Sequence, residues 1–173
     1  ERLATLLARS RHTGAEARQW VLTRLAEMAE RLGEDRAAEQ HFRAALSAGP
    51  RDQYVLAAFA DFLLDRGRAA EVAGLLAGRE AAEHLLLRLV LAEKVTGAAQ
   101  FDAHRKLVEQ AFADARRGGY AVHEGDESRF VLHVLGDAPR ALRLALSNWT
   151  LQREARDARA VLEAALRSEE HTS

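Results

Sequence analysis

Apolar residues recur along the chain at spacings of three and four, which places them on one face of an α-helix. The alternation of apolar and polar residues that is typical of strands is absent, and only two prolines occur. The clearest apolar stripe ends at Gly33. Its members are Val21, Leu22, Leu25, Met28, Ala29 and Leu32. The pattern predicts an all-α fold.

A second helix is predicted directly after Gly33, with Ala38, Phe42 and Ala45 on one face and Pro50 beyond its end. Because the intervening turn is short, we expect the two helices to lie antiparallel, with the small alanines allowing close approach while Phe42 fills the space. Gly67 lies 34 residues after Gly33. A period of this length indicates a repeated helical hairpin that buries its apolar face by stacking.

Extending the same analysis predicts about nine helices in one helical-repeat array over residues 1–166. The last hairpin starts with Asp126 as the N-cap of a short helix, and Pro139 marks the beginning of the helix after it. A final helix is predicted from Ala155 to Leu166. The predicted hairpins span approximately 16–48, 53–77, 80–117 and 126–150, with partial units at both ends.

The two ends of the chain give no information about its compartment. Residues 167–173 resemble the in-frame translation of a widely used sequencing-adapter oligonucleotide, so we expect a non-native tail there. The chain begins at Glu1 instead of methionine, and we expect that the native N-terminus is missing. A soluble location in the cytoplasm or the periplasm is compatible with the sequence.

Composition excludes several classes of protein. The 25 basic and 26 acidic side chains nearly cancel, so the chain lacks the net positive field that holds a nucleic acid backbone. The absence of cysteine excludes disulfides and thiolate metal sites. The run of three leucines at residues 85–87 is interrupted by Arg88 and is far too short to span a bilayer. We therefore expect no nucleic acid partner and no membrane span.

Evidence for catalysis is weak, because the chain has no glycine-rich phosphate loop and no metal-binding motif. The best cluster is His123, Glu124 and His133, but its spacing does not match the i, i+4 pair that places two ligands on one helical face. His41 and His104 lie on apolar stripes, where a histidine is usually a partly buried packing residue. We predict that the protein is not an enzyme and needs no metal or cofactor.

The hairpin residues resemble those of the tetratricopeptide repeat (TPR) family, although Leu22 stands where that family often has tryptophan. The matching residues of the first unit are Leu25, Ala26, Ala29, Gly33, Ala38, Phe42, Ala45 and Pro50. Phe59, Ala60, Leu63 and Gly67 match in the next unit, whereas Val72, Leu76 and Arg79 depart from the pattern. Residues 130–166 resemble the C-terminal part of uncharacterised bacterial TPR proteins. The resemblance implies a right-handed superhelical array, an α-solenoid.

In this family the first helix of each hairpin lines a concave binding face. The resemblance therefore implies partner-binding residues off the packing stripe of these helices, which are Trp20, Thr23, Glu27, Glu30, Tyr54, Asp61 and Asp65. Aromatic and acidic side chains together favour a basic or mixed peptide. In the alternative interpretation the acids form a solvated face, and Trp20 and Tyr54 pack between hairpins. Asn148 and Trp149 form a second candidate anchor, or else Trp149 closes the core between the last hairpins.

The leading hypothesis for function is a non-catalytic scaffold that binds a protein or peptide on the concave face of the array. One alternative is a purely structural segment that extends a larger array. The other is an accessory module of an enzyme whose catalytic part lies outside these residues.

Overall fold

The computed structural model describes residues 14–50, 52–118 and 124–170, and within these ranges every regular element is helical. The all-α prediction is therefore confirmed for the described part of the chain. In chain order the helices of these ranges are α1 (Ala15–Arg31), α2 (Asp35–Ala48), α3 (Gln53–Asp65), α4 (Ala69–Leu76), α5 (Glu83–Thr96), α6 (Phe101–Arg117), α7 (Glu124–Phe130), which continues into a π-helical turn (Val131–Leu135), α8 (Ala138–Leu151) and α9 (Ala155–Glu170).

The chain divides into two compact units, the first ending at Gly78 and the second beginning at Arg79. Helices α1–α4 belong to the first unit and helices α5–α9 to the second. Each pair of helices that a predicted hairpin combines is in contact: α1 with α2, α3 with α4, α5 with α6, and α7 with α8. The single array over residues 1–166 stays a prediction.

The turns that follow α1 and α3 in unit 1 are equivalent. Gly33 has φ 74° and Gly67 has φ 69°, so both lie in the left-handed region that strongly favours glycine. In both turns the third residue after the helix donates from its backbone N–H back into the last turn: Glu34 to Ala29 and Arg68 to Leu63, each at 2.9 Å. The predicted spacing of 34 residues thus connects two helix ends of the same geometry.

Three phenylalanines form the centre of unit 1. The ring of Phe42 stacks on that of Phe59, with centroids 5.3 Å apart, and lies 5.5 Å from the ring of Phe62. Ala38 and Ala45 are fully buried beside Phe42, as the small–large–small pattern predicted. Ala29, Phe59 and Ala60 are buried as predicted, whereas the sequence analysis did not assign Phe62 to the core.

The buried face of α1 differs from the predicted stripe. Met28 and Leu32 are exposed and Leu25 is only half-buried, although all three were predicted to pack. Gln19 and Thr23 are buried instead, together with Leu22, Ala26 and Ala29. Gln19 explains the difference, because its Nε2 donates to the carbonyl oxygens of Ala45 at 3.1 Å and Pro50 at 2.8 Å. These bonds satisfy backbone acceptors at the end of α2 that an apolar side chain would leave unpaired.

Unit 2 is organised around α5, in which every residue from 85 to 93 is buried. This run includes Arg88, whose Nη1 donates to Asp126 at 3.1 Å and to the carbonyl of His84 at 2.8 Å. Asp126 was predicted to be an N-cap, but α7 begins at Glu124 and Asp126 lies within the helix. Its carboxylate pairs with the buried arginine.

A second buried charge in unit 2 is Glu127 on α7. Its carboxylate accepts hydrogen bonds from Arg116 on α6 and, at 2.8 Å, from Arg140 on α8. Lys94 on α5 donates at 2.8 Å to two carbonyls of the π-helical turn, those of His133 and Val134. The packing of unit 2 is therefore supported by charged groups that bridge its helices.

Other predictions for unit 2 need correction. Four leucines whose apolar spacing predicts inward-facing positions are exposed, namely Leu107, Leu135, Leu162 and Leu166. On α9 the fully buried apolar residue is Ala164. The helix also continues through Glu170, so residues 167–170 of the predicted tail are helical.

Candidate functional site

Two aromatic side chains project from neighbouring helices of unit 1. Trp20 on α1 is 59% exposed and Tyr54 on α3 is 45% exposed. The guanidinium carbon of Arg24 lies 5.8 Å from the centre of the Trp20 ring and 4.9 Å from that of the Tyr54 ring. Both distances are within the range of a cation–π interaction. The predicted aromatic pair is thus brought together by an arginine that the sequence analysis did not select.

Glu27 completes this cluster. The Tyr54 hydroxyl donates to one oxygen of Glu27 at 2.5 Å, and Arg24 Nη1 pairs with the other at 2.9 Å. Burial raises the pKa of Tyr54, and its hydrogen bond to Glu27 raises it further, so the hydroxyl stays protonated and acts as the donor. We call Trp20, Arg24, Glu27 and Tyr54 the aromatic cluster.

Local structure positions both aromatic residues. Asp52 is the N-cap of α3, and its carboxylate accepts from the backbone N–H groups of Tyr54 at 2.8 Å and Val55 at 3.3 Å. This cap fixes Tyr54 in the first turn of α3. Trp20 and Arg24 lie one turn apart on α1, and the next turn carries Glu27. The i, i+4 spacing from Trp20 was the sequence signal that could have identified Arg24.

A group of acidic side chains continues from the cluster toward the C-terminal ends of α1 and α3. Arg66 pairs through Nη1 with Glu30 at 3.0 Å and through Nη2 with Asp35 at 2.5 Å. Desolvation by burial raises the pKa of Glu30, and repulsion by Asp65 and Asp61 raises it further, while Arg66 opposes both effects. The pKa of Glu30 is therefore raised mainly by burial, with a smaller contribution from the two aspartates, and Arg66 does not fully offset these effects.

The arrangement agrees only in part with the predicted binding residues. Trp20, Tyr54 and Asp65 are exposed, whereas Glu27, Glu30 and Asp61 are partly buried. Thr23 is 1% exposed, and its hydroxyl donates at 2.8 Å to the carbonyl of Gln19 in its own helix. The prediction that Thr23 lies on the binding surface is therefore wrong, because α1 turns this residue toward the interior.

A shallow depression adjoins the aromatic cluster along α1. It has a volume of about 270 Å³ and is lined by Trp20, Arg24, Glu27, Met28 and Arg31. Its walls combine apolar, acidic and basic side chains. Such a surface can accept an extended side chain, but it lacks the depth that encloses a small molecule.

The candidate cluster of His123, Glu124 and His133 is not tested, because His123 lies outside the described residues. His133 pairs through Nε2 with Glu163 on α9 at 3.2 Å, and the hydrogen bond from His133 lowers the pKa of Glu163 to about 2. His104 is partly buried and pairs with Glu93 at 2.8 Å. No group of three His, Asp or Glu side chains in the described ranges is arranged to hold a metal ion.

The second candidate anchor is also used internally. Asn148 is buried, and its side-chain amide donates to Asp157 on α9 at 2.9 Å. Asp157 in turn accepts from the backbone N–H of Glu154 at 2.9 Å, at the start of α9. Trp149 is partly buried beside this pair. Asn148 thus connects α8 to the first turn of α9, and its amide is not presented on the surface.

Comparisons with known proteins identify no relative, since no protein-family model, curated protein or solved structure matches the chain. Among the helices in the described ranges, none combines the length and the apolar character that crossing a membrane requires.

Proposed function

We propose that the protein is a non-catalytic scaffold, a right-handed superhelical array of the TPR type, that binds a peptide or protein segment at the aromatic cluster. The observation that supports this most directly is the exposure of Trp20 and Tyr54 side by side on the first helices of two successive hairpins. These are the helices that the family resemblance assigns to the concave face. Rigid aromatic side chains supply large contact areas at low entropic cost and are frequent at the centres of interfaces.

The surrounding charges favour a basic or mixed partner. Among the described residues near the cluster, five are acidic and three are arginines. The acidic residues are Glu27, Glu30, Asp35, Asp61 and Asp65, and the arginines are Arg24, Arg31 and Arg66. Internal pairing weakens the field of these carboxylates, and their number gives this part of the described surface an acidic character. Such a field attracts basic segments and accelerates their association.

Affinity capture with the whole chain tests this proposal. We expect the double variant Trp20→Ala, Tyr54→Ala to lose its partners while circular dichroism shows an unchanged helix content, because both side chains are exposed. A matched control is Leu32→Ala, Leu151→Ala, which removes two exposed apolar side chains outside the cluster. This control should retain the partners. Capture of the same partners by both double variants would contradict the proposal.

The second candidate is a structural segment or accessory module of a larger protein. It is favoured by Leu162 and Leu166, which lie one turn apart on α9 and are each 64% exposed. Exposed leucines at this spacing are typical of a helix face that packs against another element. If Leu162→Ser, Leu166→Ser abolishes capture and the Trp20, Tyr54 variant does not, this second function is supported.

A further inference from the structure

Arg24 lies where a basic side chain of a partner would bind in the aromatic cluster. Its guanidinium carbon is within 6 Å of both ring centres, and its Nη1 pairs with Glu27 at 2.9 Å. We propose that Trp20, Tyr54 and Glu27 form a recognition site for an arginine side chain of the partner, and that Arg24 occupies this site in the free protein. This inference rests on the proposed function, whose partner it specifies.

The chemistry of the three groups matches a guanidinium ion. Guanidinium is planar, stacks on aromatic faces and pairs with carboxylates through several N–H donors. The cluster presents two aromatic rings from different helices and a carboxylate that Tyr54 holds in place by a hydrogen bond of 2.5 Å. Lysine carries a compact and strongly hydrated charge, so it would gain less from the same rings. Arginine is therefore the preferred occupant.

Arg24 can be displaced because it is held by few polar contacts. Its side chain is 34% exposed, and its Nε is buried without a hydrogen-bond partner among the described residues. An incoming arginine would restore the two ring contacts and the pair with Glu27, and Arg24 would move into solvent beside the neighbouring carboxylates. Arg24 therefore competes with the partner, and its removal should increase the affinity for arginine.

Nuclear magnetic resonance can test this competition, because the chain contains only two tryptophans, Trp20 and Trp149. The probe is N-acetyl-arginine methylamide, and the corresponding citrulline compound is a neutral control of the same shape. We expect the arginine probe to shift the indole N–H signal of Trp20 but not that of Trp149, which lies in unit 2. Equal shifts of the Trp20 signal by both compounds would overturn the proposal.

Arg24→Gln should bind the arginine probe about five- to thirty-fold more tightly than the wild type. In the wild type the probe must replace the two cation–π contacts that Arg24 makes, and in the variant these contacts are absent, so the probe gains their full free energy. Arg31→Gln is the matched control, since it removes the same charge from the same helix but not from the aromatic cluster. An equal gain in affinity in both variants would show that the loss of any positive charge on α1 is sufficient, and it would refute competition by Arg24. Glu27→Gln should weaken binding of the probe, because the carboxylate is lost.

The two proposals fail in different ways. If Trp20→Ala, Tyr54→Ala abolishes partner capture but the arginine and citrulline probes behave alike, the scaffold stands and the arginine site is wrong. If arginine binds selectively but the double variant still captures the same partners, the site exists and the scaffold proposal is wrong.

Discussion

Phe42→Ala should remove much of the stability of unit 1. Truncation of a buried phenylalanine costs about 3 to 5 kcal/mol, and each close aromatic pair contributes about 0.5 to 1.5 kcal/mol to such a loss. Phe42 is fully buried and contacts the rings of both Phe59 and Phe62. We therefore expect a loss of about 4 to 5 kcal/mol, in the upper part of the range. Phe42→Leu, which keeps most of the volume, should cost less and provides a variant that still folds.

Each unit contains one tryptophan, so its unfolding can be followed separately. Fluorescence during chemical denaturation reports on unit 1 through Trp20 in a Trp149→Phe background, and on unit 2 through Trp149 in a Trp20→Phe background. We expect Phe42→Ala to lower the midpoint of the Trp20 transition far more than that of the Trp149 transition. Where two compact units unfold separately, a loss of this size in one of them moves its transition away from that of the other.

Phe112→Ala is the matched control in unit 2, because Phe112 is buried against Phe130 with ring centres 5.8 Å apart. It should mainly affect the Trp149 transition. A loss of less than about 1.5 kcal/mol for Phe42→Ala would be no larger than that of a volume-conserving exchange, and it would show that Phe42 is not central to the stability of unit 1. Coincident shifts of both transitions in both variants would refute the independence of the units.

Two further predictions concern buried polar contacts. Gln19→Ala should lower the free energy of unfolding by about 1 to 3 kcal/mol, because two backbone carbonyls lose their donor. Equilibrium denaturation measures this free energy, and a change near zero would contradict the prediction. Glu163 has a pKa of about 2 in the folded protein, against a usual value of 4.5. Its carboxylate therefore stabilises the fold above about pH 4.5, and this contribution is lost as the pH falls toward about 2. Denaturation midpoints should fall more steeply over that interval in the wild type than in Glu163→Gln, and parallel curves would contradict the assignment.

The turn and packing residues of unit 1 could be predicted because their requirements are local. Gly33 has the backbone geometry of a helix end that strongly favours glycine, and Ala38 and Phe42 alternate in size in the way that close helix packing needs. These constraints act over a few residues, so a single sequence displays them directly.

The orientation of α1 could not be predicted from the apolar stripe. Hydrophobic periodicity predicts that Gln19 and Thr23 lie on the surface. Gln19 is nevertheless buried, because its side chain donates to the carbonyls of Ala45 and Pro50, which are 26 and 31 residues further along the chain. The stripe also favoured Met28, which is exposed. A helix that has apolar side chains around much of its circumference is oriented by such long-range polar contacts, and these are not visible in its own sequence.

In the candidate site, too, local features could be predicted and long-range contacts could not. Its aromatic and acidic members could be selected by type and position, but the contacts of Arg24 with Tyr54 and of Arg66 with Asp35 connect different helices. The partner of His133 was also missed, since Glu163 lies 30 residues away. Pairings of this kind depend on how helices approach in space, so the sequence supplied the residue types but not the geometry.

The buried carboxylate of Glu127 constrains how this sequence can diverge. Arg116 and Arg140, each more than a third exposed, hold it from two other helices, and loss of both would leave its buried charge without a partner among the described residues. Loss of both arginines is therefore harmful as long as Glu127 is present, whereas simultaneous exchange of all three for packed apolar residues can be neutral. Among descendants of a common ancestor, these three positions should therefore covary. We expect them to be either all charged or all apolar, and mixed combinations should be rare.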